Sequence, residues 1–198
     1  MIVVGLTGGI ASGKTTIVKL LKKNKLAVQD SDLAVERIYS KPKTKFTNHL
    51  KKINLGKSLK GGKIDKKIIR EEIFYDTKKR KLLESYIHTE VKKARNIFLK
   101  KHKQKKTKIV FLDIPLLFEN KLEKICDFTI LFCAPLTIRK KRAMRRRGMQ
   151  KKILEKIVKS QLGDKTKKKK ADFVVNTSIN KNLSLNEVLK IIESIKNK

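Results

Sequence analysis

A glycine-rich segment near the start of the chain has the residue types and the spacing of a phosphate-binding loop. Residues 8–15 read GGIASGKT and match the pattern G-x-x-x-x-G-K-[ST]. An apolar run at residues 2–6 precedes them and a pattern with helical periodicity follows, which is the context that the motif requires. The segment therefore predicts a site for the phosphates of a nucleotide.

Each fixed residue of this loop has a chemical role. Gly8, Gly9 and Gly13 leave out side chains that would keep backbone N–H groups away from a phosphate. Lys14 adds a mobile positive charge for the β- and γ-phosphates, and the Thr15 hydroxyl is placed to hold Mg²⁺. The first turn of the following helix favours anions. The residues expected to bind the nucleotide are Gly8, Gly9, Ile10, Ala11, Ser12, Gly13, Lys14, Thr15 and Thr16.

Two aspartates flank a serine just after the second predicted strand, at Asp30-Ser31-Asp32. In an open α/β sheet, the loops at the carboxyl ends of the strands line the ligand crevice, so Asp32 is expected near the phosphate loop. A kinase needs a carboxylate there to orient or accept the proton of the attacking hydroxyl. The alternative is a helix N-cap, a role that Asp30 or Ser31 could also fill.

Short, continuous apolar runs separated by helical patterns predict the fold. Such runs are typical of parallel strands covered on both faces, and their alternation with helices predicts an α/β doubly wound sheet. The predicted strands lie at 2–6, 26–28, 109–112, 128–132 and 173–175, and the predicted helices at 16–23, 137–146 and 184–196.

Two segments interrupt this alternation. The long stretch before Ile109 carries apolar residues at helical spacing and a turn signal at Gly61-Gly62, and it reads as a helical insertion. Residues 139–148 are dense in arginine. The lysine run at 167–170 is interpreted as a solvated helix face.

Composition limits the classes of protein that remain. The 198 residues fit one domain, and 52 basic against 18 acidic residues give a net charge of +34. Such charge suits a nucleic acid or an anionic membrane, but the excess of lysine over arginine favours a solvated surface. We expect no specific nucleic acid, no membrane, two buried thiols at Cys126 and Cys133, and a cytoplasmic protein.

The remaining motifs favour a small-molecule kinase among proteins with this loop. The chain lacks the N-K-x-D motif that a GTPase uses to read guanine. The strand that a motor ATPase would end with two acids ends here with Asp113 alone. Two alternatives stay open: another small P-loop kinase acting on a nucleoside or nucleotide, and a basic RNA-binding protein.

Several strings in order along the chain make it similar to the dephospho-coenzyme A kinase family. They are GLTGGIASGKTT at 5–16, DSD at 30–32, REEIF at 70–74, DIPLLFE at 113–119, and the segment from Gln161 to ADFVVN at 171–176. The phosphate loop is generic, whereas DIPLLFE and ADFVVN are more specific. The resemblance implies a P-loop kinase fold, with a parallel five-stranded sheet flanked by helices, a helical substrate-binding insertion and a lid.

The resemblance also implies an activity, the ATP-dependent phosphorylation of the ribose 3′-hydroxyl of dephospho-coenzyme A. It assigns residues 1–40, 104–138 and 163–198 to the nucleotide-binding core, 41–103 to the coenzyme A-binding insertion and 139–162 to the lid. The enzyme is expected to be a monomer or a small homo-oligomer. The implied catalytic residues are Asp32 as base, Lys14, Arg142 and Arg146; the implied substrate-binding residues are Asp32, His88, Pro115, Leu116 and Glu119; and Asn176 is implied near the adenine.

The chain departs from the family pattern at three places. Thr89 follows His88 where the family usually has proline, and Arg147 follows Arg146 where an acidic residue or asparagine is common. Asn176 is followed by Thr-Ser-Ile rather than by Asn-Ser or Asn-Asn-Gly. The missing proline after His88 concerns the role of His88 in substrate binding. The residues after Asn176 concern the contacts with the adenine.

Overall fold

The structure, a computed structural model, describes residues 1–197. The chain forms two compact units. The first contains Met1–Gln29 and the residues from Lys101 onward, and the second contains Asp30–Lys100.

A five-stranded parallel sheet forms the centre of the first unit. Its strands are β1 (Ile2–Gly8), β2 (Val28–Asp30), β5 (Ile109–Asp113), β6 (Phe128–Cys133) and β7 (Phe173–Asn176), in the order β2-β5-β1-β6-β7. Strand β1 lies in the middle, with Leu6 opposite Asp113 of β5 and Ile130 of β6. Because the carboxyl ends of parallel strands share one edge, the loop after β1 lies at the centre of that edge.

Helices cover the sheet, and most residues of its central strands β1, β5 and β6 are apolar. All residues of β5 are buried, as are Val4 and Leu6 of β1. The helices of this unit are α1 (Lys14–Lys23), α6 (Leu136–Met144), α7 (Lys151–Ser160), α8 (Asp164–Lys170) and α9 (Lys181–Lys196). Helices α1 and α9 add Leu21 and Ile192 to the same core as β1. The α/β fold with a parallel five-stranded sheet, predicted from the sequence, is confirmed.

The second strand differs from its predicted position. It spans Val28–Asp30 instead of residues 26–28. The backbone N–H of Leu26 still donates to the carbonyl of Leu21 at 3.1 Å, in the hydrogen bonds that end α1. Leu26 therefore packs on the core as the last part of the helix terminus, and its apolar side chain was mistaken for a strand residue.

The second unit is mostly helical. It contains α2 (Ser31–Ser40), α3 (Thr44–Lys52), α4 (Lys66–Tyr75) and most of α5, which runs through Thr77–Gln104. Phe46, Leu50 and Leu83 are buried together in its core. A small hairpin joins β3 (Leu59–Lys60) and β4 (Lys63–Ile64), which were not predicted.

The turn of this hairpin was predicted at Gly61-Gly62. Their φ angles are 52° and 74°. Two successive positive φ angles belong to the turn type that matches the twist of a two-residue hairpin, and glycine adopts them without strain. Strands of two residues are too short for periodicity to reveal, so the turn signal alone was visible in the sequence.

The two cysteines differ from the prediction that both thiols are buried. The side chains of Cys126 and Cys133 are partly exposed rather than buried, because these residues lie near either end of β6, where the chain leaves the core. Burial nevertheless raises the pKa of the Cys133 thiol.

Lys167, at the start of the lysine run, is buried, so the run is not a wholly solvated face. Among the described residues, no helix is long and apolar enough to span a membrane.

Candidate active site

The predicted phosphate loop connects the central strand to α1. Strand β1 ends at Gly8, and the helix begins at Lys14 after Gly13, whose φ is 86°. Gly13 carries no capping side chain, so the first N–H groups of the helix are left for an anion. A turn in which the N–H of Ser12 donates to the carbonyl of Gly9 at 3.1 Å shapes the loop before them.

The glycines of the loop lie where a side chain would collide with neighbouring atoms. A Cβ on Gly8 would lie 2.7 Å from the carbonyl oxygen of Phe132, and one on Gly9 would overlap the guanidinium of Arg139. A Cβ on Gly13 would lie 3.1 Å from the Thr177 hydroxyl. The loop therefore fits closely against β6, α6 and the end of β7, which restricts its conformation.

Lys14 and Asp113 form a buried ion pair across the top of the sheet. The ammonium donates to the carboxylate at the end of β5, and the two side chains are 9% and 5% exposed. Since β5 is hydrogen-bonded beside β1, the register of the sheet brings Asp113 next to the loop. The pair holds the Lys14 ammonium at the base of the loop and compensates both buried charges.

Thr177, directly after β7, supports the loop from the other side. Its hydroxyl donates to the carbonyls of Ser12 and of Cys133, the latter at 2.9 Å. Arg142 of α6 donates through Nη2 to the carbonyl of Thr177 at 2.7 Å. Its Nη1 has no hydrogen-bond partner among the described residues. Arg142 therefore lies beside the loop with an N–H group that can donate to a ligand.

Two side chains at the loop were not predicted to be functional. Arg139 is 6% exposed, donates through Nε to the carbonyl of Ala134 at 3.1 Å and pairs with Asp164. The side-chain oxygen of Gln161 accepts the N–H of Ile10 at 3.0 Å. No local sequence pattern predicts the ion pair of Arg139 with Asp164 or the hydrogen bond of Gln161 with Ile10, because each joins residues far apart in the chain.

The Asp30-Ser31-Asp32 cluster forms the start of α2. Asp30 is the N-cap, and its carboxylate accepts the N–H of Leu33 at 2.9 Å. Asp32 lies exposed in the first helical turn and is not the cap. The capping alternative that the sequence left open thus applies to Asp30.

The family model for dephospho-CoA kinase matches residues 2–182, which cover both units. The chain belongs to the dephospho-CoA kinase family. Dephospho-CoA kinases of Bartonella quintana and Fusobacterium nucleatum are 35% and 33% identical to it, over 98% of this chain in both cases and over 98% and 99% of the relatives.

Solved structures agree with this membership. The dephospho-CoA kinase from Campylobacter jejuni is 25% identical and has a TM-score of 0.71, over 98% of this chain and 97% of that one. The Thermus thermophilus protein TT1252 is 28% identical with a TM-score of 0.80, over 98% and 96% of the two chains. A shikimate kinase from Bacteroides thetaiotaomicron, at 11% identity and a TM-score of 0.52, shares the fold alone.

The other residues that the family resemblance pointed to are spread over the chain. Pro115 and the exposed Leu116 follow β5, and the carbonyl of Pro115 accepts the Thr7 hydroxyl at 3.1 Å. The carboxylate of Glu119 pairs with the buried Lys167 at 2.7 Å and accepts the N–H of Leu162 at 3.0 Å. Glu119 therefore already has structural partners.

The remaining three are exposed. His88 lies on an open face of α5 beside Ser85 and Lys92. Arg146 follows α6, and its side chain is exposed. The side-chain oxygen of Asn176 accepts the N–H and the hydroxyl of Ser178 at 2.9 and 2.7 Å. The structure leaves the roles of all three as predictions.

The residues beside the loop fit the Mg²⁺ that a kinase of this family implies. Mg²⁺ prefers oxygen ligands and takes most of them from substrate phosphates and water, so few protein ligands are needed. Thr15 presents an exposed hydroxyl at the start of α1, and Asp113 supplies a carboxylate at the end of β5. Within residues 1–197, no group of three or more His, Cys, Asp or Glu side chains forms a separate metal site.

Proposed function

We propose that the chain transfers the γ-phosphoryl group of ATP to the ribose 3′-hydroxyl of dephospho-coenzyme A, the last step of coenzyme A synthesis. The observation that carries this proposal is the family match across residues 2–182, over a phosphate loop in which every fixed position is intact. In the reaction a bond forms between the 3′-oxygen and the γ-phosphorus, the bond to the β,γ-bridging oxygen breaks, and ADP leaves.

The loop and Lys14 would bind the ATP phosphates. Open N–H groups at the start of α1 and the partial positive charge of the helix attract the phosphate chain. Lys14 contributes its charge where negative charge builds up on the β- and γ-oxygens. The ion pair with Asp113 holds the Lys14 ammonium at the base of the loop, close to where the phosphates would bind.

Asp32 would orient the attacking hydroxyl and accept its proton. Its carboxylate is exposed, and Asp30 already provides the helix cap. Asp32 is therefore not required for that hydrogen bond. A carboxylate in this position raises the nucleophilicity of the 3′-oxygen only as the new bond forms, so its effect belongs to the transition state.

Arg142 and Arg146 would stabilise the charge that moves between the phosphates. Arg142 already lies next to Gly13 and retains an unpaired Nη1. A planar guanidinium can bind two phosphate oxygens at once, which suits a group that bridges donor and acceptor. The proposed lid, residues 139–162, carries both arginines, and its closure would exclude water that could otherwise hydrolyse ATP.

The remaining assignments follow the same proposal. Residues 41–103 would bind the coenzyme A portion, and residues 1–40, 104–138 and 163–198 would form the nucleotide-binding core of a cytoplasmic monomer or small homo-oligomer. Mg²⁺ would be held by Thr15 with Asp113 nearby, and it would neutralise phosphate charge during transfer. The adenine would lie near Asn176, and the substrate would contact His88, Pro115, Leu116 and Glu119.

A substrate panel tests the proposal. The purified chain is incubated with ATP and Mg²⁺ and with dephospho-coenzyme A, adenosine or a nucleoside monophosphate, and ADP formation is measured for each. Turnover with dephospho-coenzyme A alone is the expected result. Turnover with a nucleoside or nucleotide instead would establish the alternative kinase, and no turnover with any acceptor, together with tight RNA binding, would establish the binding protein.

A further inference from the structure

Gln161 joins the end of the proposed lid to the phosphate loop. It follows α7, and its side-chain oxygen accepts the backbone N–H of Ile10 at 3.0 Å. The same oxygen lies 3.4 Å from the position of a Cβ on Gly9. The Gln161 carboxamide therefore lies directly against the first half of the loop.

The short segment between α7 and α8 that carries Gln161 is fixed at two points. The N–H of Leu162 donates to Glu119 at 3.0 Å, and Lys167 holds the same carboxylate oxygen at 2.7 Å. Asp164 pairs with Arg139, whose guanidinium lies next to Gly9. Gln161 is thus presented to the loop by a rigid support rather than by a mobile surface segment.

The conformation of the loop needs such support. Ala11 has a φ of 55°, a left-handed value that a residue with a Cβ adopts at a cost. The adjacent N–H of Ile10 is partly buried and already bonded to Gln161, so this donor is occupied within the protein. Because the Ile10 N–H is held in place, the backbone N–H groups of the next loop residues keep a fixed direction. Donors that are already oriented bind a phosphate with little rearrangement of the loop.

We propose that Gln161 is a positioning residue: by accepting the Ile10 N–H, it holds the phosphate loop in the conformation that binds ATP and connects that conformation to the lid. The inference rests on the proposed function only in that the loop binds ATP. Without the acceptor, the partly buried N–H loses its partner and the loop loses its single geometry.

Two substitutions test this role. Gln161→Met keeps the length and volume of the side chain but removes the acceptor, and Gln161→Asn keeps the amide but shortens it beyond reach of Ile10. Gln104→Met is the matched control, since Gln104 is exposed at the end of α5. ATP binding in the presence of Mg²⁺ and without any acceptor substrate is measured by calorimetry, with dephospho-coenzyme A binding and the thermal midpoint measured in parallel.

Both Gln161 variants are expected to raise the Kd for ATP about tenfold, as the loss of one partly buried hydrogen bond implies. The same rise is expected in the KM for ATP, whereas binding of dephospho-coenzyme A and the Gln104→Met control stay at the wild-type values. A loss of ATP affinity without a loss of dephospho-coenzyme A affinity distinguishes positioning of the loop from a general loss of structure. If Gln161→Met does not fold, Gln161→Asn provides the test.

Unchanged ATP affinity in a folded Gln161 variant would overturn the inference, as would an equal loss of ATP and dephospho-coenzyme A binding. The proposed function fails separately, by the substrate panel. A wild-type chain that binds ATP but ignores dephospho-coenzyme A would reject that function, while the Kd ratio between Gln161→Met and wild type would still measure the role of Gln161.

Discussion

Lys14 at the start of α1 and Asp113 at the end of β5 neutralise each other in a buried pair, so the lysine that we propose to bind the ATP phosphates also belongs to the packed interior. Both side chains are almost fully excluded from water. Removal of either one takes the oppositely charged partner away from the other inside the core, which is more costly than the loss of an exposed ion pair.

Replacing Lys14 should therefore affect two properties at once. Lys14→Met should lower turnover by several powers of ten, because an electrostatic contact to the transferred group is lost. It should also lower the free energy of unfolding by about 3–5 kcal/mol. Kinase assays and urea unfolding measure the two effects separately.

The double variant Lys14→Met with Asp113→Asn distinguishes the two roles. With both charges removed, much of the lost stability should return, because no uncompensated charge remains in the core. Turnover should stay low. A single Lys14→Met variant that is as stable as wild type would show that the pair does not stabilise the fold.

Asp32→Asn should lower the turnover number much more than the affinity for ATP. The substitution keeps the size of the side chain and removes only the charge that orients the 3′-hydroxyl, an interaction made mainly in the transition state. Steady-state kinetics give the turnover number, and calorimetry gives the Kd for ATP.

Asp30→Ala is the matched control for this aspartate pair. It removes the N-cap of α2 and should lower the free energy of unfolding by about 1 kcal/mol without a comparable loss of turnover. Equal turnover in Asp32→Asn and wild type would reject Asp32 as the base.

Lys167 should contribute more to the stability of the fold than its exposed neighbour Lys168. Its side chain is 1% exposed and lies 2.7 Å from Glu119, whereas Lys168 is exposed. Lys167→Met should lower the free energy of unfolding by about 3–5 kcal/mol because it removes the oppositely charged partner of the largely buried Glu119 carboxylate. Lys168→Met should change it by less than about 0.5 kcal/mol. Urea unfolding of the two variants provides the comparison, and equal stabilities would contradict the role given to Lys167.

The high net charge should attract RNA without selecting a sequence. A diffuse lysine surface releases counterions on binding, so the affinity for RNA should fall steeply between about 50 and 200 mM salt. Kinase activity should decline much less over that range, because contacts in the site are short and partly shielded. Parallel salt series of RNA binding and turnover test this, and sequence-selective RNA binding at physiological salt would contradict it.

Local patterns in the sequence were sufficient to predict the central features of the fold. The phosphate loop has fixed residue types at fixed spacing, and buried parallel strands appear as continuous apolar runs, so both could be read from neighbouring residues. Strand β2 was misplaced because Leu26 is apolar for a different reason, as part of the end of α1.

The side chains that hold the phosphate loop in place could not be predicted from local sequence patterns. Gln161 and Ile10 are 151 residues apart. Gln161 begins one of the segments that resemble the dephospho-coenzyme A kinase family, but no local pattern indicates that its side chain contacts Ile10. Likewise, four consecutive lysines gave no sign that Lys167 alone points inward toward Glu119. Such contacts depend on the path of the chain between the partners, which periodicity does not specify.

The dependence of the loop on Thr177 has a consequence for how the protein is made. Ser12 is translated before Thr177, and the hydroxyl that holds its carbonyl lies 165 residues later. Because contacts this distant in sequence form late, the nascent chain carries its glycine-rich loop without this support until Thr177 has been made. The support of the loop is therefore completed only when β7 joins the sheet beside β6.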